Sequence, residues 1–297
     1  MLGANGQVGH ELVRALAALG DVVPAVRAAT RADAMHADLA DARSLAAALD
    51  QARADVVVNA AAYTAVDRAE DEPGLAARVN DRAVAEIGAW AKRNGRRVVH
   101  YSTDYVFDGS STRPYREDDA TAPLGAYGRS KLAGEAALGA SGARHLIVRT
   151  AWVYAARGHN FLRTMLRLAG ERDELRVVAD QTGAPTPAHL IADATAAMLR
   201  GWAGDGDDAR RDGVYHVASA GRCSWFDFAE AIVVGAAERG LIPRRPRVVA
   251  IATADYPTRA RRPAYSVLDT SKAAGAFGLQ LPAWRDGLRS VLDALDA

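Results

Sequence analysis

A tyrosine and a lysine stand one helical turn apart in Tyr127-Gly-Arg-Ser-Lys131. On a helix, residues at i and i+4 share a face. An ammonium beside a phenol stabilises the phenolate and draws a pKa of about 10 toward neutrality. The run Tyr101-Ser-Thr-Asp-Tyr-Val-Phe-Asp-Gly109 adds a hydroxyl to the same site. Adjacent strand residues face opposite ways, so Ser102 and Thr103 compete to supply it. Two hydroxyls and one ammonium around a carbonyl suit hydride reduction, provided a nicotinamide lies opposite. In isolation, the same pair more often reads as a core tyrosine beside a solvated lysine; the hydroxyl segment and the glycine loop at Gly3 to Gly9 shift the balance.

Such a site needs a cofactor-binding frame. Gly3-Ala-Asn-Gly6-Gln-Val-Gly9 has the G-x-x-G-x-x-G spacing, and His10 to Gly20 follows with helical periodicity. Glycines let the backbone approach a pyrophosphate, and the helix start offers free N–H groups. Gly3, Asn5, Gly6, Gln7, Val8 and Gly9 are therefore candidate cofactor contacts. Only Met1 and Leu2 precede the loop, whereas a strand normally has about five or six residues. The first strand of the sheet is thus expected to be truncated, with the true start several codons upstream. Arg27, at the end of the next strand-like segment and near Arg31, either meets a 2′-phosphate or is a solvated arginine. Asp38 and Leu39 either border the adenine or open the following helix, with Asp38 as its cap.

Strand-like runs at Asp21 to Arg27, Asp55 to Ala60, Arg97 to Ser102 and Arg144 to Arg149 alternate with helical segments at Ala42 to Leu49, Leu75 to Asn94 and Tyr127 to Leu138. This rhythm predicts an α/β fold: a Rossmann-like, doubly wound parallel sheet covered on both faces. Residues 1–150 form the expected dinucleotide-binding domain. Residues 151–297 are expected to form mainly a smaller, interleaved α/β substrate-binding domain, with segments returning to the first. Its helices are expected at His159 to Gly170, Pro187 to Gly201, Ser224 to Gly240 and Pro282 to Leu295, and a strand at Val214 to Val217.

Bulk properties narrow the function. Charged residues make up 25% of the 297 and the net charge is +1, so no global field recruits nucleic acid or an anionic membrane. No apolar run approaches the roughly 18 residues of a membrane span, and no basic region precedes an apolar stretch at the N-terminus. Cys223 is the only cysteine, which reads as a small buried hydrophobe and fits a reducing cytoplasm. The seven histidines lack metal-site spacing, so no metal ligand is assigned.

These segments, with Asn59-Ala-Ala-Ala-Tyr-Thr-Ala-Val-Asp67, Asp180-Gln-Thr-Gly-Ala-Pro-Thr186 and Arg261-Arg-Pro-Ala-Tyr-Ser-Val-Leu268, resemble the extended short-chain dehydrogenase/reductases, and within them the dTDP-4-dehydrorhamnose reductase family. The tyrosine–lysine pair marks only the superfamily, whereas the two longer runs are more specific. The likeness covers nearly the whole chain, and the short first strand is its one departure.

The resemblance implies NADPH- or NADH-dependent reduction of a nucleotide-linked 4-keto-6-deoxy sugar, the last step of dTDP-L-rhamnose synthesis, with no metal required. It makes Tyr127 the proton donor and Lys131 the holder of the nicotinamide ribose and tuner of Tyr127. Thr103, favoured over Ser102 on this ground, becomes the partner of the carbonyl. Asp104, Tyr105 and Trp152 would line the sugar pocket, and Ala60, Ala61, Ala62 and Tyr63 would lie along the cofactor. A homodimer is the family expectation, and some members bind magnesium at a subunit contact. Arg259, Arg261 and Arg262 either bind a diphosphate or are solvated, and Asp180 and Gln181 either serve the site or shape a turn.

Two other functions compete. An epimerase or dehydratase on the same scaffold would retain its nicotinamide or add a second acid beside Thr103, where Tyr105 follows Asp104. A non-catalytic regulatory subunit would not need Thr103, Tyr127 and Lys131 intact.

Overall fold

The computed structural model describes residues 1–28, 33–203 and 209–296. Arg31 lies outside them. Strands Val56–Asn59, Arg97–Thr103, Arg144–Thr150 and Gly213–His216 lie side by side in that spatial order, all parallel. On the other flank, Leu2 bridges both Asn59 and Ala25 in parallel, and Ala25–Val26 pairs in parallel with Met35–His36. Chain order therefore reverses between Leu2 and Val56–Asn59. This is the doubly wound arrangement, whose ligands sit at the strand carboxyl ends beside the reversal.

Leu2 takes the place of the first strand. Its amide donates to the Val58 carbonyl at 2.9 Å, and its own carbonyl accepts from the Ala60 amide at 3.1 Å. Across the other edge, Ala25 donates to Met1 at 2.8 Å and Gly3 to Ala25 at 2.9 Å. The two residues before the glycine loop are thus laddered on both sides, and Leu2 is buried.

Successive strand residues point to opposite faces, and the valine run shows this directly. Val57 packs with Leu45, Ile87, Trp90 and Leu138 on one face. Val58 packs with Leu12, Ile191, Met198 and Trp202 on the other. Helices Ala42–Ala52, Ala83–Arg93 and Ala126–Ala140 cover the first face, and Gln7–Leu16 and Ala188–Ala203 the second. A separate core gathers Leu162, Leu175, Phe228, Trp284 and Leu288. It lies among helices Phe161–Glu171, Trp225–Glu238 and Trp284–Asp296 and a parallel pair, Glu174–Val178 with Arg247–Ile251. No helix among the described residues is long and apolar enough to cross a membrane.

Three local expectations change. The strand expected over Asp21 to Arg27 is Ala25–Val26 alone, since Pro24 has no N–H for a ladder. The helix expected over Leu75 to Asn94 is interrupted by a π-helical turn at Arg78–Arg82. The Glu174–Val178 and Arg247–Ile251 pair had no counterpart in the sequence reading.

Candidate active site

Thr103 ends its strand at the carboxyl edge of the sheet, and a single 3-10 turn, Asp104–Val106, follows it. The Thr103 hydroxyl donates to Asp104 Oδ1 at 3.0 Å and accepts from the Tyr105 amide at 3.2 Å. Ser102 faces away, its buried hydroxyl without a hydrogen-bond partner. Helix Ala126–Ala140 brings Tyr127 and Lys131 to this edge, and Glu70 accepts the Ala126 amide at 2.7 Å at its start. Two glycines set how closely that helix packs. A Cβ on Gly128 would collide with the Tyr105 carbonyl, and one on Gly134 with the Asn80 carbonyl.

Tyr127 contacts the edge-on ring of Tyr105, centroids 5.7 Å apart. Burial pushes its phenol up to about 12, opposed by hydrogen bonding with Thr103 and reinforced by the Asp104 carboxyl. The lowering of Tyr127 by Lys131, expected from their spacing, is not met in this arrangement. Lys131 is buried and donates to the Tyr101 carbonyl at 2.6 Å, with His100 Nε2 at 3.3 Å. Burial draws Lys131 down to about 8, against the raising influence of Glu135. Asp104 is buried too, and burial lifts its carboxyl to about 6 despite hydrogen bonds from Ser266 and Thr103.

The glycine loop fits a dinucleotide. Gly3 adopts φ +76°, and a Cβ there would lie 2.7 Å from the Ala61 nitrogen, so the two loops at the chain reversal meet through a missing side chain. A Cβ on Gly9 would strike the Gly3 carbonyl, which locks the helix onto the turn. Helix Gln7–Leu16 starts at Gly6 with no side-chain cap, leaving the first-turn N–H groups of Gln7 and Val8 for an anion. Asn5 is exposed in the loop. Gln7 is partly committed elsewhere, its Oε1 accepting from Asn160 at 2.8 Å.

The remaining cofactor candidates divide. Ala60, Ala61 and Ala62 are half-buried beside the reversal, as is Tyr63, whose phenol donates to Glu72 at 2.7 Å. Arg27 is exposed at its strand end. Leu39 is buried in the core on the first face of the sheet. Asp38 accepts from the Ala40 amide at 2.9 Å; the cap of the following helix is Asp41.

On the sugar side, Asp104 and Tyr105 adjoin Tyr127, while Trp152 stands on a different loop. Trp152 holds φ +49° and stacks on Trp225 with centroids 3.5 Å apart. Gly183 lies under its indole, where any Cβ would collide. Two of the three clustered arginines are committed to ion pairs, Arg262 with Asp67 at 2.8 Å and Arg259 with Asp71. Asp180 accepts from the Thr253 amide at 2.9 Å and Gln181 donates to the Thr253 hydroxyl at 3.0 Å, so both tie their loop to the distant segment at Thr253. Cys223 is buried and its thiol is pushed up to about 12 by burial. Among the described residues no three His, Cys, Asp or Glu side chains gather as a metal site.

Three buried polar residues to which the sequence reading gave no role tie the site together. Asn80, in the π-helical turn, accepts from the Tyr63 amide at 2.8 Å and donates to Ser130 at 3.0 Å. Asn59 and His100 connect the Ala61 amide to Lys131. The signal that could have found Asn80 was Gly134, since glycine inside a helix costs about 1 kcal/mol and marks close approach.

The family profile described as the RmlD substrate binding domain matches residues 1–297. The chain is 52% identical over 286 residues to the dTDP-4-dehydrorhamnose reductase of Burkholderia thailandensis, spanning 95% of this chain and 94% of that protein. It is 45% identical over 300 residues to the enzyme of that name from Escherichia coli K12, spanning 99% and 97%. Among solved structures, the dTDP-4-dehydrorhamnose reductase of Bacillus anthracis in complex with NADP superposes with a TM-score of 0.87 at 32% identity, covering 99% of this chain and 97% of that one.

Proposed function

The chain belongs to the RmlD substrate-binding domain family, and from that membership we propose that it reduces dTDP-4-dehydro-L-rhamnose to dTDP-L-rhamnose with NADPH or NADH. The observation that carries the reading is the contact of Tyr127 with Thr103 and Tyr105 at the carboxyl edge of the sheet. The bound cofactor supplies the hydride to the keto carbon. Tyr127 delivers a proton to the keto oxygen, so C=O becomes CH–OH and a phenolate remains to be reprotonated. Thr103 orients that oxygen or the phenol. Lys131 holds the nicotinamide ribose.

The loop Gly3 to Gly9 takes the pyrophosphate in this proposal, with Asn5, Gly6, Gln7 and Val8 against it and Ala60, Ala61, Ala62 and Tyr63 along the cofactor. Arg27 offers a cation to a 2′-phosphate, and Asp38 and Leu39 border the adenine through their backbone. Asp104, Tyr105 and Trp152 receive the sugar. Residues 1–150 serve the cofactor. Residues 151–297 serve mainly the nucleotide sugar, with Ala188–Ala203 and Gly213–His216 returning to the first sheet. The proposal includes a cytoplasmic setting and a homodimer, which sedimentation of the purified chain would check.

The test is cofactor oxidation by the purified chain with dTDP-4-dehydro-L-rhamnose, run with NADPH and with NADH. Turnover lost in Tyr127→Phe supports the scheme, and unchanged turnover removes Tyr127 from it. Nicotinamide that stays bound through many turnovers would favour the epimerase. Arg27→Ala should weaken NADPH more than NADH; an equal effect removes Arg27 from the phosphate.

A further inference from the structure

The buried connection between the cofactor loop and Lys131 has a direction imposed by its donors. The Ala61 main-chain N–H can only donate, so the Asn59 atom 3.2 Å away is the carbonyl oxygen. The other end of that amide is an NH₂ group, and it faces His100 Nδ1 at 3.2 Å. Nδ1 must therefore accept. His100 is wholly buried, and burial together with Lys131 holds it far below its ordinary range, so it is neutral with one ring proton. That proton is on Nε2, 3.3 Å from Lys131 Nζ. An ammonium has three donors and no acceptor; an amine has a lone pair to offer.

We infer that His100 is a positioning residue that makes the charge of Lys131 answer to the orientation of the Asn59 amide, and through it to the Ala61 N–H of the cofactor loop. With Lys131 as an amine, every link is satisfied: Ala61 to Asn59, Asn59 to His100, His100 to Lys131, Lys131 to Tyr101. With Lys131 as an ammonium, Nε2 must accept, so the ring proton moves to Nδ1. The Asn59 amide must then turn round, and the Ala61 N–H loses its acceptor. The part-buried Ala61 N–H is then left without the Asn59 oxygen, and that loss couples the two ends.

The other ionisable groups around Lys131 do not break this coupling. Tyr127 and Glu135 lie one turn either side on its own helix. Glu135 is held by Arg149 of the neighbouring strand at 2.6 Å. Strand Arg97–Thr103 contributes His100 and the neutral Tyr101 carbonyl, and Val56–Asn59 contributes the neutral Asn59. Burial draws Lys131 down to about 8, so both forms are within reach of ordinary buffers.

This inference rests on the proposed reductase only for its kinetic consequence, and its first test needs no turnover. Label the histidines with ¹⁵N in the full chain and follow the His100 ring nitrogens from about pH 6 to about pH 10, with His100→Gln to identify the signals. The expected result is an Nε2–H tautomer at alkaline pH that converts to Nδ1–H as Lys131 gains its proton, while the Ala61 amide shift moves with the same midpoint. A tautomer unchanged across the range, or an Ala61 amide that does not follow it, overturns the inference. In His100→Gln, the amide oxygen gives Lys131 an acceptor with no tie to Asn59. The alkaline limb of the turnover profile should rise by about one pH unit with the sugar KM unchanged. A folded variant with the wild-type limb also overturns it. Absence of any reductase turnover would sink the proposed function and leave the ¹⁵N result to decide this one.

Discussion

The amino group of Lys131 donates to the main-chain carbonyl of Tyr101, 2.6 Å away. That bond keys helix Ala126–Ala140 to the strand that ends in Thr103. Tyr127 and Thr103 are side chains of two different elements, and this buried crosslink sets their relative position. The lysine is therefore an anchor before it is anything electrostatic.

Lys131→Met tests the anchor. Methionine has similar length and suits the buried site, but offers no donor to Tyr101, to His100 or to a ribose. The far-ultraviolet spectrum should be retained, while turnover falls by about 10²-fold or more, the range general acid–base groups contribute. Turnover within a few-fold of wild type would show that neither role matters.

Gly128→Ala should separate geometry from chemistry. The added methyl meets the Tyr105 carbonyl, which is backbone and cannot swing aside. The helix must move away from Thr103 by a fraction of an ångström or more. Misplacement of about 1 Å can cost 10²-fold in rate, so kcat should drop about 10-fold or further. Gly139→Ala, in the same helix with open space around it, is the control and should be near neutral. Equal activity in the two variants would mean the tight contact is not set by Gly128.

Much of the fold was legible because the parallel strands are buried on both faces. Val56-Val57-Val58 and Leu146-Ile147-Val148 read as strands from their continuous apolar, mostly β-branched content. The pair Glu174–Val178 and Arg247–Ile251 was not legible, because exposed Glu174, Arg176 and Arg247 break the apolar run. In the site, Thr103, Tyr127 and Lys131 were readable from type and spacing. Asn59, Asn80 and His100 were not, since each acts through a partner between 17 and 50 residues away that only the tertiary fold supplies. The shared face of Lys131 and Tyr127 followed from helix geometry, whereas the bond of Lys131 to the Tyr101 carbonyl depends on the tertiary fold.

Glu135 and Arg149 form a buried pair with contacts of 2.6 and 3.0 Å, under the ring of Phe107. Removing one partner leaves an uncompensated buried charge, which typically costs about 3–5 kcal/mol. Glu135→Ala should lower unfolding stability by that order in chemical denaturation. Replacing both residues by apolar ones of similar size should recover most of it. A loss below about 1 kcal/mol, typical of surface pairs, would show that the pair is hydrated in solution.

Asp104 gives a pH-dependent prediction whose sign is fixed by burial. Its carboxyl rises from 3.8 unfolded to about 6 folded, chiefly because burial disfavours the charge. Between those values the folded state binds more protons than the unfolded one. Stability from this group is therefore fully present below about pH 4 and is lost as pH rises through about 6. At pH 7 the wild type carries an ionised, buried carboxylate whose Oδ2 has no hydrogen-bond partner. Asp104→Asn removes that charge while keeping an acceptor for Thr103. The variant should be more stable than wild type at pH 7, by up to about 3 kcal/mol, and the difference should vanish near pH 4. Other carboxylates titrate in both proteins and cancel in the comparison. Denaturant midpoints at the two pH values decide it: an equal difference at both would mean that Asp104 ionises as freely in the folded chain as in the unfolded one.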